Sequence, residues 1–310
     1  MPNLQRTIAC HGLSIQVPPD WSLAAISSQT DGGYFRLDDD YMPRLEVKWA
    51  RPQPSALHNL PEIKQRCVSA LRRAAKKSHT DLVLEDRAQS LNREGRKAKN
   101  FLSFRWQTSQ QGYTFASSCG SCGRQVLAQL YGPLDTDVTG IAEAVFSTLR
   151  DHSPDQWDAW SLYDFRFRVP SDFSLLSQKL LLGRLEFVFQ RASERVVFSQ
   201  WAVAHAHLAD QSLPEWFRDH LASRAKGITF STNETDFRGH PALFVQGRKS
   251  GYKALLQSVF AAAAKKRLAS LLDWRLWHCV PLNRLFSVEA IVLPSNSDLP
   301  QQLAEGVKCH

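Results

Sequence analysis

No run of 18 or more apolar residues occurs in this 310-residue chain, so no helical membrane span is expected. The opening stretch MPNLQRTIACHG lacks an apolar h-region, which argues against a secretory signal and for a cytoplasmic protein with reduced thiols. There is no low-complexity tract and so no disordered tail of that kind to account for. Four chemical signatures are also missing: a Gly-rich phosphate loop, Gly-x-Ser-x-Gly, His-Glu-x-x-His and a DNA-reading helix. Their absence leaves nucleotide cradles, elbow-type serine hydrolases and zincin proteases without a basis in the sequence.

What is present describes a folded globular protein: 43% hydrophobic and 22% charged residues, enough length for two cores. The net charge of +8 tilts the surface toward acidic partners, though 30 acidic residues lie among the 38 basic ones.

The chain says one thing twice. Leu13–Leu23, LSIQVPPDWSL, is echoed by Phe165–Leu175, FRFRVPSDFSL. Val17, Pro18, Asp20, Ser22 and Leu23 recur as Val169, Pro170, Asp172, Ser174 and Leu175, with Trp21 replaced by Phe173. Alternating residues before each proline predict a strand, and the Pro-x-Asp step predicts the turn that ends it. The echo extends further. Leu60–Pro61–Glu62 opens an amphipathic helix with Ile63, Cys67, Val68 and Leu71 inward, and Leu213–Pro214–Glu215 opens its counterpart. Trp201 stands to Trp49 at the offset that separates the opening strands. Strands are predicted at 45–49, 101–108, 113–118, 125–131, 184–190, 196–207, 241–247, 274–279 and 285–293, with helices at 138–150 and 299–307. The expected fold is α+β: two tandem copies, residues 1–151 and 161–310, of an antiparallel sheet flanked by helices, related by a pseudo-two-fold axis. His152–Trp160 reads as the linker. Tyr252–Leu272, rich in Ala and Leu, has no counterpart and is predicted to be a helix, placed either to bind a partner protein or to cover its own sheet.

This order of elements, opening on Val17–Trp21 and again on Val169–Phe173, resembles the PsbP-like family of α/β/α sandwiches. The resemblance covers nearly the whole chain as two copies. It implies a central antiparallel sheet and a non-catalytic role in binding or assembly, and it brings no functional residue with it.

One stretch carries chemistry. Cys119-Gly120-Ser121-Cys122-Gly123 sits in a predicted turn between two strands, where two thiolates three positions apart and a permissive glycine form half of a tetrahedral zinc site. Aligning the halves through their last strands sets Arg124 beside Arg284 and Ser118–Cys119 beside His278–Cys279, so Cys279 and His278 are the expected completing ligands. Cys10–His11 and Cys309–His310 are rival donors. Free thiols and a redox dithiol are the other readings of the pair; the pair opens no helix, which weighs against a depressed thiolate pKa. A second constellation, His205-x-His207, shares a face if it lies on a strand and then offers two metal ligands. Basic residues Arg72, Arg73, Lys76, Lys77, Lys265, Lys266 and Arg267 read as solvated helix faces or as a nucleic-acid footprint. The functions weighed are therefore a zinc-fastened, non-enzymatic binding scaffold with a protein partner, a basic nucleic-acid-binding protein, and a metal-dependent hydrolase using His205 and His207.

Overall fold

The computed structural model describes residues 3–29, 32–51, 60–86, 101–153, 155–249 and 270–310, which divide into two compact units, 1–164 and 165–310.

In the first unit, β1 (Arg6–Cys10) and β2 (Leu13–Val17) form a hairpin, and β10 (Trp157–Leu162) pairs with β1. The main sheet is antiparallel and seven-stranded, in the order β3-β4-β5-β9-β8-β7-β6. Its strands are β3 (Ser22–Gln29), β4 (Gly32–Asp38), β5 (Pro43–Ala50), β6 (Val83–Asp86), β7 (Phe101–Gln107), β8 (Gln111–Ser118) and β9 (Gln125–Gly132). Helix α1 (Leu60–Lys77) lays Val68 and Leu71, one turn apart, on Phe104 and Trp106. Phe104 and Trp106 share one pleat of β7. Their neighbours on β8, Tyr113 and Phe115, point the other way and meet Phe146 of α2 (Thr139–Ser147), with ring centroids 6.0 and 5.6 Å apart. The unit is thus helix, sheet, helix.

The second unit holds β11 (Phe165–Pro170) and another seven-stranded antiparallel sheet, β12-β13-β14-β18-β17-β16-β15. Those strands are β12 (Ser174–Leu181), β13 (Arg184–Arg191), β14 (Glu194–Ala202), β15 (Thr229–Asp236), β16 (Pro241–Lys249), β17 (Ser270–Cys279) and β18 (Arg284–Val292). After β14 come α3 (Ala204–Leu208) and α4 (Leu213–His220); Trp216 and Phe217 of α4 pack on Trp201, Trp274 and Leu276. The opposite pleat carries Phe187, Phe198 and Phe286 against Phe165 and Phe167 of β11, and α5 (Leu299–Glu305) contacts β11, β17 and β18.

Strand order is the same in both units. So is the opening turn: Trp21 N–H donates to Pro18 O at 3.3 Å, and Phe173 N–H to Pro170 O at 3.0 Å. The buried aromatic after each turn lies under a guanidinium, Arg44 on Trp21 and Arg191 on Phe173. Each following strand carries a bulge at the same place, between Leu23 and Ala25 and between Leu175 and Ser177.

Strand β2 stops at the Pro18 turn as the alternation predicts, with β1 before it and β3 after the turn. Two other expectations are corrected. The strand expected to run from Val196 to His207 stops at Ala202, because Val203 takes a left-handed φ of 57° and begins α3. Of the helix expected over 252–272, residues 252–269 lie outside those described, and Ser270–Leu272 belong to β17.

Candidate metal centres and an apolar tip

In the first unit the turn from β8 to β9 is closed by Cys119 N–H on Arg124 O at 2.8 Å and Gly123 N–H on Cys119 O at 3.0 Å. Gly123 has φ +69°, which suits a residue without a side chain. The chain leaving α2 is pinned to β2 by a reciprocal backbone pair between Arg150 and Ser14, at 2.8 and 2.9 Å. That anchorage delivers Asp151 and His152 to the turn. Cys119 Sγ lies 3.0 Å from Ser121 Oγ and 3.7 Å from His152 Nδ1, and His152 Nδ1 lies 3.0 Å from Asp151 Oδ1. One donor atom from each of Cys119, Cys122, Asp151 and His152 falls within 4.8 Å of the others. Partial burial, with Cys119 alongside, pushes the Cys122 thiol up.

The second unit has a cluster at the corresponding end of its sheet. Cys279, the last residue of β17, is fully buried. The turn from β15 to β16 is closed by Phe237 N–H on His240 O at 2.9 Å, and it turns His240 inward. The segment after α5 is held by Lys308 N–H on Arg166 O at 2.9 Å and by Arg238 Nη1 on Val307 O at 2.8 Å. Cys309 Sγ then sits 3.4 Å from His240 Nε2, and Cys279 Sγ 3.5 Å from His310 Nδ1. These four donor atoms, too, lie within 4.8 Å of one another. Burial raises the Cys279 thiol, with Cys309 adding to it, and burial beside His310 lowers His240. All of this favours neutral side chains unless a cation is present.

Each cysteine pair therefore gathers donors from its own unit. Cys119 and Cys122 come together with Asp151 and His152, whereas Cys279 comes together with Cys309, His240 and His310. His278 joins neither group: β17 runs regularly through Cys279, so adjacent side chains alternate, and Pro281 lies beyond the strand. Cys10 and His11 also join neither. Burial pushes the Cys10 thiol up to about 12. It lowers His11 to about 4, with Arg124 and Arg51 contributing. The His11 ring lies between Trp160 and Trp49, centroids 4.8 and 5.7 Å away. The sheet registers also correct the alignment of the halves. Trp49 pairs with Val126 and Trp201 with Leu285, which sets Gln125 beside Arg284 and Ser118 beside Cys279. The first unit's turn is two residues longer.

His205 and His207 lie on α3, not on a strand, so their side chains diverge, and both are exposed. His205 N–H donates to Asn283 Oδ1 at 3.0 Å. The hydrolase reading loses its premise. Arg72, Arg73, Lys76 and Lys77 are exposed on α1, and Lys265, Lys266 and Arg267 lie outside the described residues.

What sequence reasoning missed is a tip. At the Cys279 end of the second unit, three turns are laced together: Ala202 N–H donates to Gly183 O and Ala204 N–H to Asn283 O, both at 2.8 Å. They present Leu181 (59% exposed), Leu182 (107%), Val203 (53%) and Val280 (58%), with Leu282 beside them. No helix among the described residues is long and apolar enough to cross a membrane.

No family model matches this chain, and no curated protein does. Among solved structures it is similar to cyanobacterial PsbP from Synechocystis, at 13% identity and TM-score 0.32 over 48% of this chain and 93% of that one. It is similar as well to the Ran-binding protein Mog1p of Saccharomyces cerevisiae, at 12% identity and TM-score 0.30 over 49% and 94%. A third is the T6SS immunity protein TplEi of Pseudomonas aeruginosa in complex with a peptide, at 9% identity and TM-score 0.31 over 99% of both chains. The PsbP-like resemblance thus recurs as a weak likeness of backbone over about half the chain, and no function is drawn from it.

Proposed function

We propose that this chain is a non-enzymatic binding scaffold, a duplicated α+β design that engages a partner protein through the apolar tip of its second unit. The observation that carries this reading is the tip itself. Leu181, Leu182, Val203 and Val280 are more than half exposed on backbone turns fixed by hydrogen bonds, while the sheet behind them is densely buried. Burying one such side chain on a partner is worth about 1–3 kcal/mol, and the fixed backbone means the tip itself incurs no ordering cost on binding. Common strand order, opening turn and bulge support the duplication. In the first unit, zinc on Cys119, Cys122 and His152, with Asp151 as the fourth donor, ties the β8–β9 turn to the segment after α2. The nucleic-acid reading has the exposed face of α1 behind it and nothing further among the described residues.

The test is a Leu182→Asp/Val280→Asp double variant. A protein captured by the wild type is purified and the complex rebuilt from pure components. The reading expects an unchanged melting temperature for the variant and a loss of affinity of at least about a hundredfold. A rebuilt complex that forms equally well with the variant removes the tip from the interface.

A further inference from the structure

We propose that His240, Cys279, Cys309 and His310 bind one zinc ion as a closed Cys2His2 centre, separate from the first unit's cluster and independent of the protein-binding reading.

The donor set is the first argument. Two thiolates and two imidazoles are a common shell for structural zinc, and soft sulfur disfavours magnesium or calcium. The distances are the second. With Zn–S near 2.3 Å and Zn–N near 2.05 Å, a tetrahedral shell places sulfur about 3.5 Å from nitrogen. The two S···N distances in the structure are 3.4 and 3.5 Å. The third argument is that the backbone delivers the donors from three separate segments. His240 is placed by its own turn, Cys279 by the pairing of β17 with β18, and Cys309 and His310 by the bonds of Lys308 and Val307 to Arg166 and Arg238. Arg238 belongs to the turn that carries His240, so its bond to Val307 holds that turn to the Cys309–His310 segment; Cys279 arrives separately from β17, and the four donor atoms converge. Burial is the fourth. His240, Cys279 and Cys309 are 4%, 0% and 8% exposed, and the partner of the buried His240 Nε2 is a thiol, a weak hydrogen-bonding group. A metal ion satisfies that nitrogen far better.

The chemistry balances as zinc displacing two protons, one from each thiol, with both imidazoles bound neutral, His240 through Nε2 and His310 through Nδ1. Four protein ligands leave no open position, so the centre is structural and takes no part in catalysis. Its effect is to clasp the segment after α5 onto the end of the sheet, beneath the turns that form the apolar tip.

Full-length protein purified without chelator is analysed for zinc, and the apoprotein is titrated with cobalt, whose tetrahedral thiolate spectrum reports the shell. Cys119→Ser/Cys122→Ser is expected to keep one zinc per chain and the cobalt–thiolate absorption. Adding Cys279→Ser/Cys309→Ser to that variant, which removes both thiol pairs, is expected to lose the remaining zinc and the absorption. His310 is exposed, so His310→Ala in the Cys119→Ser/Cys122→Ser background keeps its fold and weakens cobalt binding by more than about tenfold, since outer-shell losses alone reach that size. The proposal is overturned if the Cys119→Ser/Cys122→Ser protein holds no zinc and shows no thiolate band. It is equally overturned if the fourfold cysteine variant keeps its band, or if peptide mapping finds a Cys279–Cys309 disulfide in place of metal. Zinc retained by Leu182→Asp/Val280→Asp in the Cys119→Ser/Cys122→Ser background separates this outcome from failure of the tip.

Discussion

Acidification strains the first unit at His11. Its ring is enclosed by Trp49 and Trp160 and faces the positive charge of Arg124, which brings its pKa down to about 4 from the ordinary 6.5. The folded form therefore resists the proton that the unfolded chain accepts. His11 costs nothing above pH 6.5, and stability drains as pH falls from there toward 4. With those two values, the loss between about pH 7 and about pH 5 is roughly 2 kcal/mol. The perturbation is His11→Asn, chosen because His11 holds φ at 53°, a conformation asparagine tolerates. Urea unfolding is followed at both pH values for wild type and variant. The wild type should lose about 2 kcal/mol more than the variant over this interval, whatever the variant's stability at neutral pH. Equal pH slopes for the two proteins, or an NMR titration of His11 with its midpoint near 6.5, would refute the reasoning.

Three further substitutions read other parts of the fold in the same urea assay. A Cβ on Gly112 would stand 2.3 Å from the Trp106 ring and 2.7 Å from Leu130 O, so Gly112→Ala should cost about 1–3 kcal/mol. Phe115 is buried between Phe101 and Phe146, and Phe115→Ala should cost about 3–5 kcal/mol. Glu186 is buried, which alone would raise its pKa, but Arg224, Arg184 and Lys179 around it bring the net shift down. Glu186→Gln should therefore destabilise the second unit by about 3 kcal/mol at neutral pH. That difference should fade in acid, as the wild-type carboxylate is protonated below its ordinary 4.5.

The fold was readable wherever one face of an element is buried. Leu45, Val47 and Trp49 alternate because the other pleat of β5 is less buried, and Val68, Leu71 and Ala75 recur at helical spacing because α1 lies on the sheet. Edge strand β12 went unread because SLLSQKLL has neither face buried and so no period to show. The end of β14 was misread because WAVAHAHL keeps alternating after the backbone has turned. Only the conformation of Val203 stops the strand, and composition does not encode it. Cys119 and Cys122 announced themselves by spacing. Of their companions, Asp151 closed the first copy and His152 opened what looked like a linker, and His240 carried no local signal at all, since its role depends on a turn three strands from the chain's end. Cys309 and His310 were visible as donors, but sequence offers no means of choosing their partner.

The sheets also have a seam. β3 to β5 form one local meander and β6 to β9 another, and they join where Ala50 pairs with Gln125; in the second unit, Ala202 pairs with Arg284. Most hairpins on either side close over a few residues, β6–β7 and β16–β17 over longer connections, while each seam closes a loop of many tens, which makes it a slow, high-contact-order event in folding. Until it closes, β5 and β9 present unpaired inner edges carrying Leu45, Val47 and Leu130, and β14 and β18 do the same with Val197, Val288 and their neighbours. Because the strand order is shared, each free edge meets a sister of the same plan on the same chain. Mispairing between sister seams, and exchange of half-sheets between molecules, are thus the characteristic errors this architecture must avoid during refolding.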